Sequence, residues 1–194
     1  MHSSRTQLAL FLILITSVGC RASAEHAVTV YAGPYTDNSL PNEIALLKPL
    51  SFESATLAAV ALSQVVGEPG EHHQWEIEGN VVQWFGRQDH QELNGLLMYR
   101  WRTFPWNDVV RTTFGFGNGL SYATSKPDLE EFFHPKTGTK NLLYHIAVEF
   151  TFAAPDWEHW SWVARVHHRS GVFGLFDGVD GGSNALTLGL RYGF

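Results

Sequence analysis

Thr187-Leu188-Gly189-Leu190-Arg191-Tyr192-Gly193-Phe194 is the stretch that decides the fold. Successive side chains of a strand point to opposite faces. Leu186, Leu188, Leu190, Tyr192 and Phe194 therefore share one face, and Thr187, Gly189, Arg191 and Gly193 share the other. An apolar face, a small or polar face and an aromatic final residue suit the closing strand of a transmembrane barrel. The alternative is the last strand of a soluble sandwich, which would have no need of a terminal Phe.

At the other end of the chain, Arg5 gives a short basic start and Leu8 to Ile15 an almost unbroken apolar run. Ala22-Ser23-Ala24 follows as an A-x-A cleavage site. The pattern predicts a secretory signal peptide over residues 1–24, too short for a spanning helix. Ser17-Val18-Gly19-Cys20 has a faint lipoprotein character, but Ser17 stands where Leu is usual, which favours cleavage after Ala24. The remaining domain, residues 25–194, has 170 residues and lacks the sole cysteine, Cys20, so no disulfide is expected.

The full chain carries a net charge of −6; losing Arg5 and Arg21 lowers the bases from 13 to 11 against 19 acids, giving −8. That balance argues against nucleic acid as a partner. No later segment holds ~20 consecutive apolar residues, which excludes a helical membrane protein. The chain is 44% hydrophobic and 13% aromatic, which excludes disorder.

Period-two alternation gives eight segments of about the 9–11 residues that cross a bilayer as tilted strands. They lie near Ala27–Tyr35, Ala55–Val66, His73–Phe85, Glu92–Thr103, Val109–Gly119, Asn141–Ala153, Trp160–Arg169 and Asn184–Phe194. Within the second, Ala58 to Ala61 could also begin a helix. Short turns at Gly67–Gly70, Phe104–Asp108 and Pro155–Glu158 alternate with longer stretches at Thr36–Ser54, Leu120–Lys140 and Ser170–Ser183; only the third-to-fourth connection on the long side is short. Outer-membrane barrels alternate in this way between periplasmic turns and external loops, and an even strand number puts both termini in the periplasm. The expected fold is all-β: an eight-stranded antiparallel transmembrane barrel of the bacterial outer membrane. The terminal pattern polar-x-Gly-x-x-Tyr-x-Phe also resembles the assembly signal of bacterial outer-membrane barrels, which implies the barrel-assembly machinery as a partner during biogenesis.

The faces sort as a barrel requires. Trp75, Ile77, Val81 and Phe85, then Leu93, Leu97, Tyr99 and Trp101, then Leu142, Tyr144, Ile146, Val148, Phe150 and Phe152 form apolar stripes. Glu76, Glu78, Arg100, Arg102, Arg111, His145, Glu149, Arg165, His167 and Arg191 occupy the opposite faces. Eight strands enclose a lumen that side chains just fill, so these charges predict a paired polar core rather than a channel.

The seventh strand departs from this sorting. Trp160, Trp162, Ala164 and Val166 set its outward stripe, and His168 and Ser170 continue the same parity at its outer end. Residues two apart on one face lie ~6.5–7 Å apart, so imidazole and hydroxyl can approach each other. A His that takes the proton of a Ser is the minimal activated nucleophile. The plain alternative is a polar pair at a membrane interface with no chemistry.

His168-Arg169-Ser170, on the penultimate strand and shortly before the terminal one, resembles the lipid A 3-O-deacylase (PagL-like, acyloxyacyl-hydrolase) family. The overlap in motif covers Val166 to Leu190. The resemblance implies an eight-stranded outer-membrane barrel, a serine esterase that hydrolyses an ester-linked acyl chain of lipid A (lipopolysaccharide), Ser170 as nucleophile and His168 as general base. The family places Asn directly after the Ser, contributing to the oxyanion hole; here the residue is Gly171. Backbone N–H groups of the Gly171–Gly174 stretch, those of Gly171, Phe173 and Gly174, could substitute. The family also orients its His with an acid near the start of the last strand, where this chain has Gly181-Gly182-Ser183-Asn184. Asp180 is the first candidate for that role, with Asp177 and Asn184 as alternatives. Arg169 or Lys140 stands near the external rim to meet lipid phosphates. No metal or cofactor is expected: His72-His73 and His167-His168 are adjacent pairs whose members point to opposite faces. The competing function is a non-enzymatic barrel with a structural, adhesion or binding role.

Overall fold

The structure, a computed structural model, describes residues 26–67 and 70–194; the expected signal peptide, residues 1–24, lies outside them. Eight strands close into an antiparallel barrel, each paired with its sequence neighbour and the first with the last. They are β1 (His26–Thr36), β2 (Ala55–Val66), β3 (His73–Gly86), β4 (Gln91–Trp101), β5 (Arg111–Ala123), β6 (Leu142–Ala153), β7 (Trp160–Ser170) and β8 (Gly182–Gly193). β2 is a strand throughout: Ala58 to Ala61 pair with β1 on one side and β3 on the other, so the ladder overrides the helical propensity of alanine. β5 begins and ends later than the alternation suggests. A π-helix, Leu40–Ile44, and a short helix α1, Asp128–Phe133, add structure to the two longest loops.

The barrel closes where β8 meets β1. Val30 pairs with Leu190 and Thr29 with Arg191. His26 and Phe194 exchange both backbone hydrogen bonds, at 2.9 and 2.8 Å. Phe194 also stacks with His26 and Tyr192. Leu188, Leu190 and Phe194 are exposed on the outer surface, as their parity predicts. So are Val30, Val60, Leu62, Ile77, Val81, Leu93, Leu97, Phe116, Leu120 and Phe150. So wide an apolar surface is stable against lipid and not against water.

Inside, the charges pair. Arg165 reaches both oxygens of Glu78 at 2.7 Å and Glu149 at 2.7–2.8 Å. Arg100 bridges Glu76 at 2.7 Å and Glu149 at 2.8 Å, and Arg191 joins Glu76 at 3.1 Å. Three carboxylates thus meet three guanidiniums at mid-barrel. Gly115 makes room beside them: a Cβ there would sit 3.0 Å from the Met98 side chain and 3.4 Å from Arg100 Nη1. Toward the loop end an apolar cluster joins the charges, where Tyr35, Leu57, Trp84 and Ala185 pack with Leu129 of α1. At the opposite end a mouth of about 680 Å³ opens between Arg100, Arg111, Thr113 and Arg191.

Candidate functional site

β7 carries the expected pair to its outer end. Its lumen face holds Val163, Arg165, His167 and Arg169, all buried, while Ala164, Val166, His168 and Ser170 remain partly exposed on the outside. His168 lies between Ile146 of β6 and Asn184 of β8, and Ser170 between Tyr144 and Gly182. Gly182 is required here: a Cβ on it would fall 1.9 Å from the Arg169 carbonyl oxygen, forcing β8 away from the site. On the lumen side, the His145 ring donates from Nδ1 to the His168 carbonyl at 2.9 Å and pins the strand from beneath.

The side chain that meets the His168 ring is that of Asn184. Its Oδ1 lies 2.8 Å from His168 Nδ1. Its Nδ2 donates to the backbone carbonyl of Asn38, also at 2.8 Å. A carbonyl accepts only, so Asn38 fixes which end of the amide faces the ring. The amide oxygen accepts only in turn, so His168 Nδ1 carries the proton and Nε2 keeps the lone pair of a base. Asn38 is itself held, since its Oδ1 accepts from Thr36 Oγ1 at 2.7 Å and from the Ser51 N–H at 2.8 Å. A relay from the first loop to the last strand thereby sets the tautomer of a histidine on the seventh.

Asp180 and Asp177 do not reach the ring. Asp180 is exposed and takes part in no side-chain hydrogen bond among the described residues. Asp177 pairs with Lys140 at 2.6 Å, and the hydrogen bond and charge of that ammonium hold its carboxyl below the usual range. Glu149 stays in the lumen with Arg100 and Arg165. Of the two cations expected at the rim, Arg169 is not available. It is fully buried against Glu130, at 3.0 Å, and the Lys140 and Asn141 carbonyls, because its parity points it inward. Lys140 is at the surface but engaged with Asp177.

The three backbone donors considered for an oxyanion hole differ in their commitments. The Gly171 N–H donates to Gly181 O at 2.8 Å and the Gly174 N–H to Val179 O at 2.9 Å, so both are spent inside the loop. Among the described residues the Phe173 N–H has no such partner. The Ser170 hydroxyl oxygen accepts from the Val172 N–H at 3.0 Å, and its own proton remains to be donated. Val172 and Phe173 sit at φ of 50° and 53°, a left-handed conformation that is costly for a β-branched or bulky residue. Such strain gathers at functional loops.

Two features of the site were not anticipated. Asn118 of β5 stands on the outward stripe between Phe116 and Leu120, and its Oδ1 accepts from the Tyr144 hydroxyl at 3.1 Å. A polar residue at outward parity was the signal that could have revealed it. Glu130 of α1 is buried and gathers Arg169, Thr139 and Ser183 around its carboxylate. It lies far from β7 and β8 in the chain, and nothing in its local sequence marks it. Among the described residues no group of three His, Cys, Asp or Glu side chains converges to hold a metal ion.

No protein-family model matches the chain, and none of the curated proteins does. Solved structures do match in shape. One is the outer membrane enzyme PagL, with a TM-score of 0.59 and 11% identity over 86% of this chain and 98% of that one. Another is Neisserial surface protein A (NspA), with a TM-score of 0.53 and 12% identity over 89% and 98%. At such identity the likeness is one of fold. The chain is an eight-stranded transmembrane barrel of the outer-membrane type.

Proposed function

We propose that the protein is a lipid A deacylase of the bacterial outer membrane, in which Ser170 and His168 hydrolyse an ester-linked acyl chain that approaches laterally from the outer leaflet. The observation that carries this reading is the Asn38–Asn184–His168 relay, which presents a base lone pair on the outward face that also bears Ser170. The likeness in shape to PagL supports the reading.

The reaction needs two transfers. Ser170 Oγ bonds to the ester carbonyl carbon and passes its proton to His168 Nε2. The carbonyl re-forms as the ester C–O bond breaks, and that proton goes to the departing alkoxide oxygen. Water then repeats the sequence on the acyl-enzyme, releasing the fatty acid and restoring the serine hydroxyl. Of the three N–H groups considered, that of Phe173 is the one with capacity to meet the oxyanion.

A second reading, a structural or binding barrel, draws on the committed N–H groups of Gly171 and Gly174 and on an amide where a carboxylate would stabilise the imidazolium. Mass spectra of lipid A from cells with and without the protein separate the two. Loss of one ester-linked acyl chain, abolished by Ser170→Ala and by His168→Ala with the barrel still assembled, is the expected result. Unaltered lipid A in every strain favours the structural barrel.

A further inference from the structure

Resting on the deacylase reading, we infer that Asn118 and Tyr144 form a second polar subsite on the lipid-facing surface, which holds the carbonyl of a second acyl linkage in the same substrate molecule. Asn118, Ile146, His168 and Asn184 are direct partners across β5 to β8 and so form one row around the outside of the barrel. Leu120, Tyr144, Ser170 and Gly182 form the next. Around Asn118 the outward surface is apolar: Phe116 and Leu120 on its own strand, Leu97 and Ile146 as its partners. An amide in that setting has few polar neighbours, and a membrane tolerates one only where it has partners.

Tyr144 supplies half of the answer. Its hydroxyl donates to Asn118 Oδ1 at 3.1 Å, which turns the Nδ2 group into the unspent end. No hydrogen bond from Asn118 Nδ2 is present among the described residues, so two N–H donors face the surface. The unspent end is a donor end, and it suits an acceptor such as a carbonyl oxygen. The Tyr144 ring also lies against Phe176 of the last loop, 6.1 Å between centroids, so the subsite borders the loop that follows Ser170.

The spacing says what kind of molecule could use both positions. Asn118 and His168 are separated by two strand intervals, ~10 Å, with Ile146 as an apolar floor between them. A lipid with a single acyl linkage meets one position only. A multiply acylated glycolipid carries several ester and amide carbonyls within that distance of one another, at staggered depths that suit the inclined row of a tilted-strand barrel, and meets both. Asn118 would then discriminate such a glycolipid from an ordinary single-chain ester, and its contribution falls on binding rather than on proton transfer.

The test compares kcat/KM for lipid A and for a single-chain fatty acyl ester, both in mixed micelles, for wild type, Asn118→Leu and Tyr144→Phe. Losing one hydrogen bond should lower the ratio of the two substrates about tenfold in Asn118→Leu, through KM. Tyr144→Phe, which keeps the ring, should lower it less. A companion measurement follows lipid A retained by Ser170→Ala and by Ser170→Ala with Asn118→Leu, using native mass spectrometry. If wild type cleaves neither substrate the deacylase reading fails, while weaker retention in the double variant still supports the subsite. Unchanged ratios with equal retention overturn the subsite, whatever the fate of the reaction.

Discussion

Asn184 meets His168 with an uncharged contact, which bears on the proposed chemistry. An amide oxygen holds the ring and fixes its tautomer, but it brings no charge to an imidazolium as a carboxylate would. Asn184→Ala should free the ring and lower the rate of fatty acid release by up to ~10⁴, the scale seen when a triad histidine is left in the wrong tautomer. Asp177→Asn and Asp180→Asn should retain wild-type release, since the first carboxylate serves Lys140 and the second is exposed. Release measured on the three variants checks the assignment; loss in either aspartate variant with Asn184→Ala active would reverse it. Parity alone brought His168 and Ser170 to one face. That the His168 ring meets Asn184 rather than Asp180 or Asp177 was not legible, because the contact depends on Asn38, a loop partner 146 positions away.

At the scale of the element, β8 and β5 show where alternation suffices and where it does not. The alternating stretch of β8 lay where a closing strand was expected, and Phe194, just past it, completes the closure. Deleting Phe194 removes two backbone bonds to His26 and the rings stacked at that edge. The shortened chain should assemble less well, read as a reduced heat-modifiable band in the outer-membrane fraction; undiminished assembly would show that the seam does not need it. β5 was placed too early because Val109 and Val110 look like strand residues. Asn107 Oδ1 captures the Thr112 N–H, and the Trp106 indole N–H donates to Thr112 Oγ1, so side chains hold the turn open through Val110. The far end runs on to Ala123, which pairs with Glu92.

For the molecule as a whole, the inward charges were legible from parity, but their pairing was not. Arg165 touches Glu78 and Glu149 from three different strands, and Glu92 and Glu130 extend the network to His167 and Arg169 near the loops. Glu130 came from a loop that a strand pattern cannot describe. Arg165→Met would leave two buried carboxylates without their shared partner, a loss of about 3–5 kcal/mol for a pair broken on one side. Thermal unfolding in detergent measures it, and wild-type stability in that variant would mean the lumen is wet. The same arrangement also has an electrical meaning. Ions crossing the barrel would have to part Arg100 and Arg165 from Glu149, at the point where the lumen is filled by charges already neutralised. Placed across a voltage in a planar bilayer, this cylinder is expected to act as an insulator, the field falling over a plug of bound ion pairs and no steady current following it.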